Sequence, residues 1–153
     1  MAEPRIVVAP AAFDVAAEIA RLTDGRQDVG GIGCFIGTVR AQSQGRAIIA
    51  MTLEHYPGMT EAALAGIARE ASARWPLLGC TLIHRVGRLL PGEAIVLVLA
   101  TSAHRQAALD ATGFLIDWLK TGAPFWKKEH FADGDAVWVE ARDTDAAQAA
   151  RWT

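Results

Sequence analysis

All the lysines of this chain fall within nine residues, Lys120-Thr121-Gly122-Ala123-Pro124-Phe125-Trp126-Lys127-Lys128, and the other twelve basic residues are arginine. A guanidinium keeps its proton near neutral pH, whereas a partly desolvated ammonium can lose it, so grouped amines suit general acid/base or imine chemistry. Phe125 and Trp126 set large apolar groups beside the amines, where desolvation lowers a lysine pKa, and Gly122 with Pro124 makes a tight connection. For one lysine alone, chance placement at a solvated strand end is the simpler reading. The clustering and its apolar setting weigh against that reading for the group.

A second set of residues suits an anion. His104 and Arg105 fall in the first turn of a helix predicted over 103–119 with Ser102 as its N-cap. Cations there oppose the helix dipole, a mismatch of order 0.3 to 1 kcal/mol per charge. A bound phosphate removes the conflict, since free backbone N–H groups, Arg105 and His104 form a receptor for it; a solvated arginine and a core histidine are the competing reading. Lys120 ends the same helix, roughly 24 Å from His104 at the helical rise per residue. One small ligand does not span that length within one subunit. Either other elements bring the two ends together, or the pocket lies between two copies of the chain.

The elements that must position these groups follow from periodicity and punctuation. Strands are predicted over 5–9, 29–40, 47–56, 80–86, 94–101, 125–131 and 136–140, and helices over 11–22, 60–75 and 103–119. The glycines of 29–40 (Gly30, Gly31, Gly33, Gly37) match no nucleotide-binding motif and are read as close packing. Residues 41–46 read as an open polar loop, 87–93 as a hairpin or wide turn, and the tail beyond 140 as polar with a short helix. Alternation along 125–131 puts Lys127 on the face of Phe125, Glu129 and Phe131, and Lys128 on the other. Glu54 and His55 alternate in the same way, which argues against an acid/base pair.

Composition bounds the function. With 153 residues, 52% hydrophobic and 21% charged, the sequence is that of one globular domain, 1–153, of α+β class: a mostly antiparallel sheet with two main helices packed on it. A net charge of -2 gives no reason to expect nucleic acid, so an anion site must be a local pocket of positive charge. No apolar run reaches the roughly 18 residues of a membrane span, and the N-terminus carries no signal pattern, which together point to the cytoplasm. Cys34 and Cys80 are too isolated for zinc and are expected as reduced, buried thiols; a nucleophilic Cys34 beside the glycine-rich segment is the alternative, and packing among Ile32, Phe35 and Ile36 is preferred to it. No metal or cofactor is expected.

Six blocks, Phe35 to Arg40, Leu53 to Thr60, Ile83 to Gly87, Thr101 to Arg105, Leu119 to Glu129 and Trp138 to Arg142, have an order and spacing that resembles the large, catalytic subunit of molybdopterin synthase over 29–142. The resemblance implies an α/β-hammerhead-like fold and a sulfurtransferase of molybdenum-cofactor biosynthesis. Such an enzyme puts two sulfurs into cyclic pyranopterin monophosphate to make the molybdopterin dithiolene. It implies that the sulfur arrives as a thiocarboxylate on the C-terminal Gly-Gly of a small ubiquitin-like subunit. It also implies a homodimer of large subunits within a heterotetramer, with active sites drawing on both large subunits. By the same resemblance Lys120 and Lys127 are catalytic, Arg40, His104 and Arg105 bind substrate, Lys128 and Glu129 edge the site, and Arg142 is a further anion- or tail-binding candidate. The residues alone leave open a non-enzymatic α+β protein binding a phosphorylated ligand or a partner through Phe125 and Trp126. A hydrolase using His104 or His55 lacks the paired carboxylates or metal cluster it needs.

Overall fold

Thirteen elements are distributed over two sheets and four helices in the computed structural model, which describes residues 1–139 and 143–153. The first sheet contains β1 (Arg5–Ala9), β5 (Leu77–Arg85), β7 (Ala94–Ser102) and β2 (Gly31–Thr38), in that spatial order. β1 runs parallel to β5, and the other pairings are antiparallel. The second sheet has the order β3 (Gln42–Ser43), β4 (Arg46–His55), β8 (Phe125–Phe131), β9 (Ala136–Val139), with β6 (Gly87–Leu89) also paired to β4. Sequence reasoning expected one sheet; the α+β class and the antiparallel bias stand.

Alternation along β5 and β7 makes two cores. Cys80 and Leu82, with Val96, Val98 and Ala100, face α2 (Met59–Arg74) and α3 (Arg105–Thr121) and pack against Leu64, Ala68, Ala111 and Leu115. Ile83, Leu97 and Leu99 face the other way, onto Phe13, Val15, Ile19 and Leu22 of the segment holding α1 (Val15–Thr23). That helix starts later than predicted because Asp14, whose Oδ1 accepts from the Ala17 N–H at 3.1 Å, caps it. Its buried Glu18 is tied to β1 by Arg5 at 2.7 Å. α2 begins where the Gly58 N–H donates to Glu61 at 3.0 Å, and its last residue stands two before Pro76.

Several expectations are corrected. Residues 41–46 form a β3–β4 hairpin, with positive φ at Gln44 (51°) and Gly45 (77°) as a tight primed turn requires. The 87–93 connection joins an antiparallel β5–β7 pair, as a hairpin reading requires, but also carries β6, three residues and too short for periodicity to reveal. Ser102 is the last residue of β7 rather than the cap of α3: its hydroxyl donates to the Pro76 carbonyl at 2.8 Å, and His104 takes the N-cap position. The tail is not a solvated appendage. α4 (Asp143–Ala150) lies on α3, and Trp152 meets Trp75 and Phe114 edge-on, with ring centroids 5.5 and 5.8 Å apart. Its indole N–H donates to Asp117 at 2.7 Å. Cys34 and its neighbours Ile32 and Ile36 are exposed, because β2 is an edge strand whose other face alone meets α3. Cys80 is buried as expected, and burial pushes its thiol pKa up to about 12. Among the described residues no helix is long and apolar enough to cross a membrane.

α3 lies directly against the glycine face of β2. A Cβ on Gly33 would run into the Thr112 hydroxyl and the Ala108 carbonyl, and one on Gly31 would sit 3.0 Å from the Arg105 Cα. The two sheets meet at a ring pair, His84 of β5 stacked on Phe125 of β8 at 3.8 Å and 18°. Burial, opposed by the His84 Nδ1 to Arg85 carbonyl contact at 2.8 Å and reinforced by the charges of Lys120 and His55, lowers the His84 pKa from 6.5 to about 4.

Two outcomes follow. Gly33→Ala should lower unfolding free energy by about 2 to 3 kcal/mol in urea denaturation, since a helix backbone must move to admit one methyl. His84 has a folded pKa below its unfolded one, so its contribution is whole above about pH 6.5 and is lost as pH falls through about 4. Denaturation at pH 7.5 and pH 5 should therefore show a loss on the order of 2 kcal/mol that His84→Phe removes.

Candidate active site

A cavity of about 650 Å³ opens between the C-terminal end of α3 and the inward face of β4 and β8. Lys120 occupies the last turn of α3, where a cation complements the negative end of the helix dipole. The helix stops at Gly122, whose N–H donates to the Trp118 carbonyl at 2.7 Å, and the chain then turns sharply, with the Phe125 N–H bonded to the Ala123 carbonyl at 2.9 Å. The strand that follows therefore returns past the helix end. Lys127 comes back into the cavity lined by Lys120 only seven residues after it.

β8 runs between β4 and β9, with Lys127 opposite Leu53 on one side and Val139 on the other. Phe125, Lys127, Glu129 and Phe131 share the inward face, as alternation predicted. Arg40 reaches the cavity from the end of β2. There the pairing with β7 shifts register between Gly37 and Thr38, and buried Val39 is held by Glu93 at 2.9 Å and Gly92 at 2.8 Å. A bulge of this kind re-aims the residues beyond it.

The ionisable groups among the described lining residues are Arg40, Lys120, Lys127, His84 and Asp145. Burial keeps His84 neutral at physiological pH. Three cations face one carboxylate in a chain whose net charge is negative, so the cavity is a local positive site, and partly enclosed walls strengthen its pull on anions. Lys120 is exposed and Lys127 half-buried. Two amines and a guanidinium around one cavity can bind a phosphorylated or carboxylate-bearing ligand and move protons at its reacting atoms.

The other predicted residues divide. His104 and Arg105 are exposed at the far end of α3, against the start of β2, and do not line this cavity. The chain alone therefore leaves the two halves of the predicted site apart. Lys128 lies on the opposite face of β8 from Lys127, with its ammonium 5.4 Å from the centre of the Trp138 ring. Glu129 is 6% exposed on the inward face, one residue pair along from Lys127 but outside the cavity lining. Arg142 lies outside the described residues. His84 and Asp145 were given no role from sequence. A histidine in the apolar run of β5 was the available signal for the first; nothing local marked the second, which arrives on α4.

Residues 8–122 match the family model described as MoaE protein. A molybdopterin synthase catalytic subunit from Mesorhizobium japonicum is 60% identical over 141 residues, covering 92% of this chain and 87% of the relative. That of Escherichia coli is 52% identical over 152 residues, 99% of this chain and 100% of its own length. Among solved structures, the molybdopterin biosynthesis MoaE protein from Burkholderia ambifaria superposes with a TM-score of 0.82 at 48% identity, covering 97% of each chain. The family match covers most of the chain, identity and superposition extend over nearly its whole length, and this chain belongs to the MoaE family.

Proposed function

We propose that this chain is the catalytic subunit of a molybdopterin synthase, a cytoplasmic sulfurtransferase. It would move two sulfurs from the C-terminal thiocarboxylate of a small ubiquitin-like subunit onto cyclic pyranopterin monophosphate, forming the molybdopterin dithiolene. The observation that carries the reading is the meeting of Lys120, Lys127 and Arg40 around one cavity. A thiocarboxylate and a phosphorylated pterin are both anions, and this positive pocket suits both. In the proposed roles the amines of Lys120 and Lys127 polarise or hold the substrate and transfer protons as sulfur adds, and Arg40 grips an anionic group. Glu129 and Lys128 border the site, and Arg142 completes the proposed set as an anion or tail contact. The relatives are named catalytic subunits, a name that presupposes a further subunit.

His104 and Arg105 enter the proposal through a second copy of the chain. β2 is an edge strand, and its outward face presents Ile32 and Ile36, each 42% exposed, with Cys34 between them. An apolar edge of this kind is a liability in a monomer and a seam in a dimer. The N-terminal end of α3 borders that strand. Pairing there would carry the partner's helix start, with its anion receptor, toward this chain's lysines. The large-subunit homodimer is thus proposed as the unit that assembles a complete site.

Single-turnover assay with the thiocarboxylated small subunit and cyclic pyranopterin monophosphate tests the chemistry. Wild type should form dithiolene, while Lys120→Arg and Lys127→Arg should each lose roughly a hundred-fold or more in rate, because arginine can neither release a proton nor form an imine. A folded protein that binds the small subunit yet makes no product would leave the partner-binding alternative, which the exposed aromatics Tyr56, Trp126 and Trp138 also suit. Ile36→Asp should shift sedimentation from dimer to monomer and abolish product even with both lysines intact.

A further inference from the structure

Among the described residues β2 has one strand neighbour, β7, and its other edge is open. The Gly30 N–H donates to the Ser102 carbonyl at 2.9 Å, and alternation then turns the backbone groups of the even-numbered residues toward β7. The odd-numbered set, Gly31, Gly33, Phe35 and Gly37, aims its N–H and C=O groups at the open edge. From Gly31 to Thr38 the strand holds neither charge nor proline, the features that keep an edge from pairing.

This edge is complementary to a second copy of itself. Laid antiparallel with the two-fold axis at Cys34, Gly31 meets the partner's Gly37 and Gly33 the partner's Phe35, so every unmet donor finds an unmet acceptor. The same register sets Ile32 against the partner's Ile36, and Cys34 against its own copy. Helix α3 repeats the symmetry independently. Gly33 lies under Ala108 and Thr112, so an axis at Cys34 passes near the middle of the helix. Arg105, Leu109, Ile116 and Lys120 form a stripe along α3, on the side turned away from Ala111 and Leu115, which pack in the core. Leu109, 59% exposed, is the one large apolar side chain that α3 leaves open. Two such helices, antiparallel and side by side, put Leu109 beside the partner's Ile116 and Arg105 beside the partner's Lys120. A contact about 25 Å long and two layers deep buries on the order of 1,000 Å² in all, the size at which specific interfaces begin.

We propose that two copies of this chain join their first sheets through antiparallel β2 strands with the axis at Cys34. This register carries the partner's Arg105 to the rim where Gly37, Arg40 and Lys120 line the cavity. Groups roughly 24 Å apart along one α3 come within about one helix spacing, roughly 10 Å, between copies. The groups that meet there are cations, so an anion bound between them strengthens the contact. The shared rim's part in turnover rests on the synthase reading, whereas the strand register does not.

Disulfide trapping reads the register in the full-length protein. Opposed residues at a position without hydrogen bonds stand about 4.5 Å apart at Cα, within the span of a disulfide. Copper(II) phenanthroline takes one electron from each facing thiol, the two protons pass to solvent, and the sulfurs join. Wild type should become a covalent dimer that dithiothreitol reverses; Cys80→Ser should link as well, and Cys34→Ser should not. In the Cys34→Ser background Ile32→Cys or Ile36→Cys alone should stay unlinked, because each lies about 14 Å from its own copy, whereas the two together should link. Arg105→Ala and Lys120→Arg chains, each impaired alone, should regain about a quarter of wild-type dithiolene formation when co-expressed, since half the dimers are mixed and each of those holds one intact site. A chain that sediments as a monomer overturns the proposal, as does linking by either single cysteine variant. So does an edge that only the small subunit covers, shown by its protecting Cys34 from oxidation. Failure of the mixed dimers to regain activity, with the double-cysteine link intact, overturns the shared rim. If wild type forms no dithiolene but the links form as described, the synthase reading fails and the register stands.

Discussion

The close approach of α3 to β2 is the constraint on which the rest depends. Side chains are missing from Gly31 and Gly33, so the helix rests on the strand backbone, with Ala108 and Thr112 filling the space that a Cβ would need. That contact sets the height of a helix of 17 residues, and thereby the position of both of its ends. At one end stands Lys120, over the cavity; at the other, His104 and Arg105 border the open edge of the sheet. A helix riding higher on the strand would move the amine and the anion receptor together.

Charge is divided between two tasks. Arginines do much of the tying: Arg5 to Glu18, Arg46 to Asp133 and Asp135 while covering Phe131, Arg85 to the Pro10 and Ala94 carbonyls. The planar guanidinium suits such forked contacts and never titrates. Lysine is reserved for the neighbourhood of the cavity. Between the tied surface and the cavity, the His84–Phe125 stack joins the two sheets, so the strand that brings Lys127 home meets the strand that carries the imidazole through a ring contact.

Much of this was legible in the sequence. β1 and β8 have the bounds that their patterns predicted, and the opposite facing of Lys127 and Lys128 follows from strand geometry alone. The length of α3 required that its two ends serve different places, and in the chain they do. What was hidden has physical reasons. Ile32, Cys34 and Ile36 look like core because hydrophobicity records burial without saying what does the burying. β3 and β6 are fixed by β4 across the sheet rather than by their own residues. The packing of Trp152 on Trp75 and Phe114 joins positions far apart in the chain, and no local pattern announces it. Ser102 has the side chain of a helix cap, and its oxygen does accept the His104 N–H at 3.1 Å, but the residue belongs to β7 and the helix starts two residues later than that preference places it.

The two faces of β2 answer to different tests. Gly31, Gly33, Phe35 and Gly37 face the helix, where a change is penalised as the chain folds. Ile32, Cys34 and Ile36 look outward, where the lone chain hardly registers one. Variation along this strand should therefore be filtered with a period of two. Alternate positions are policed by folding, and those between them by whatever company the folded chain keeps.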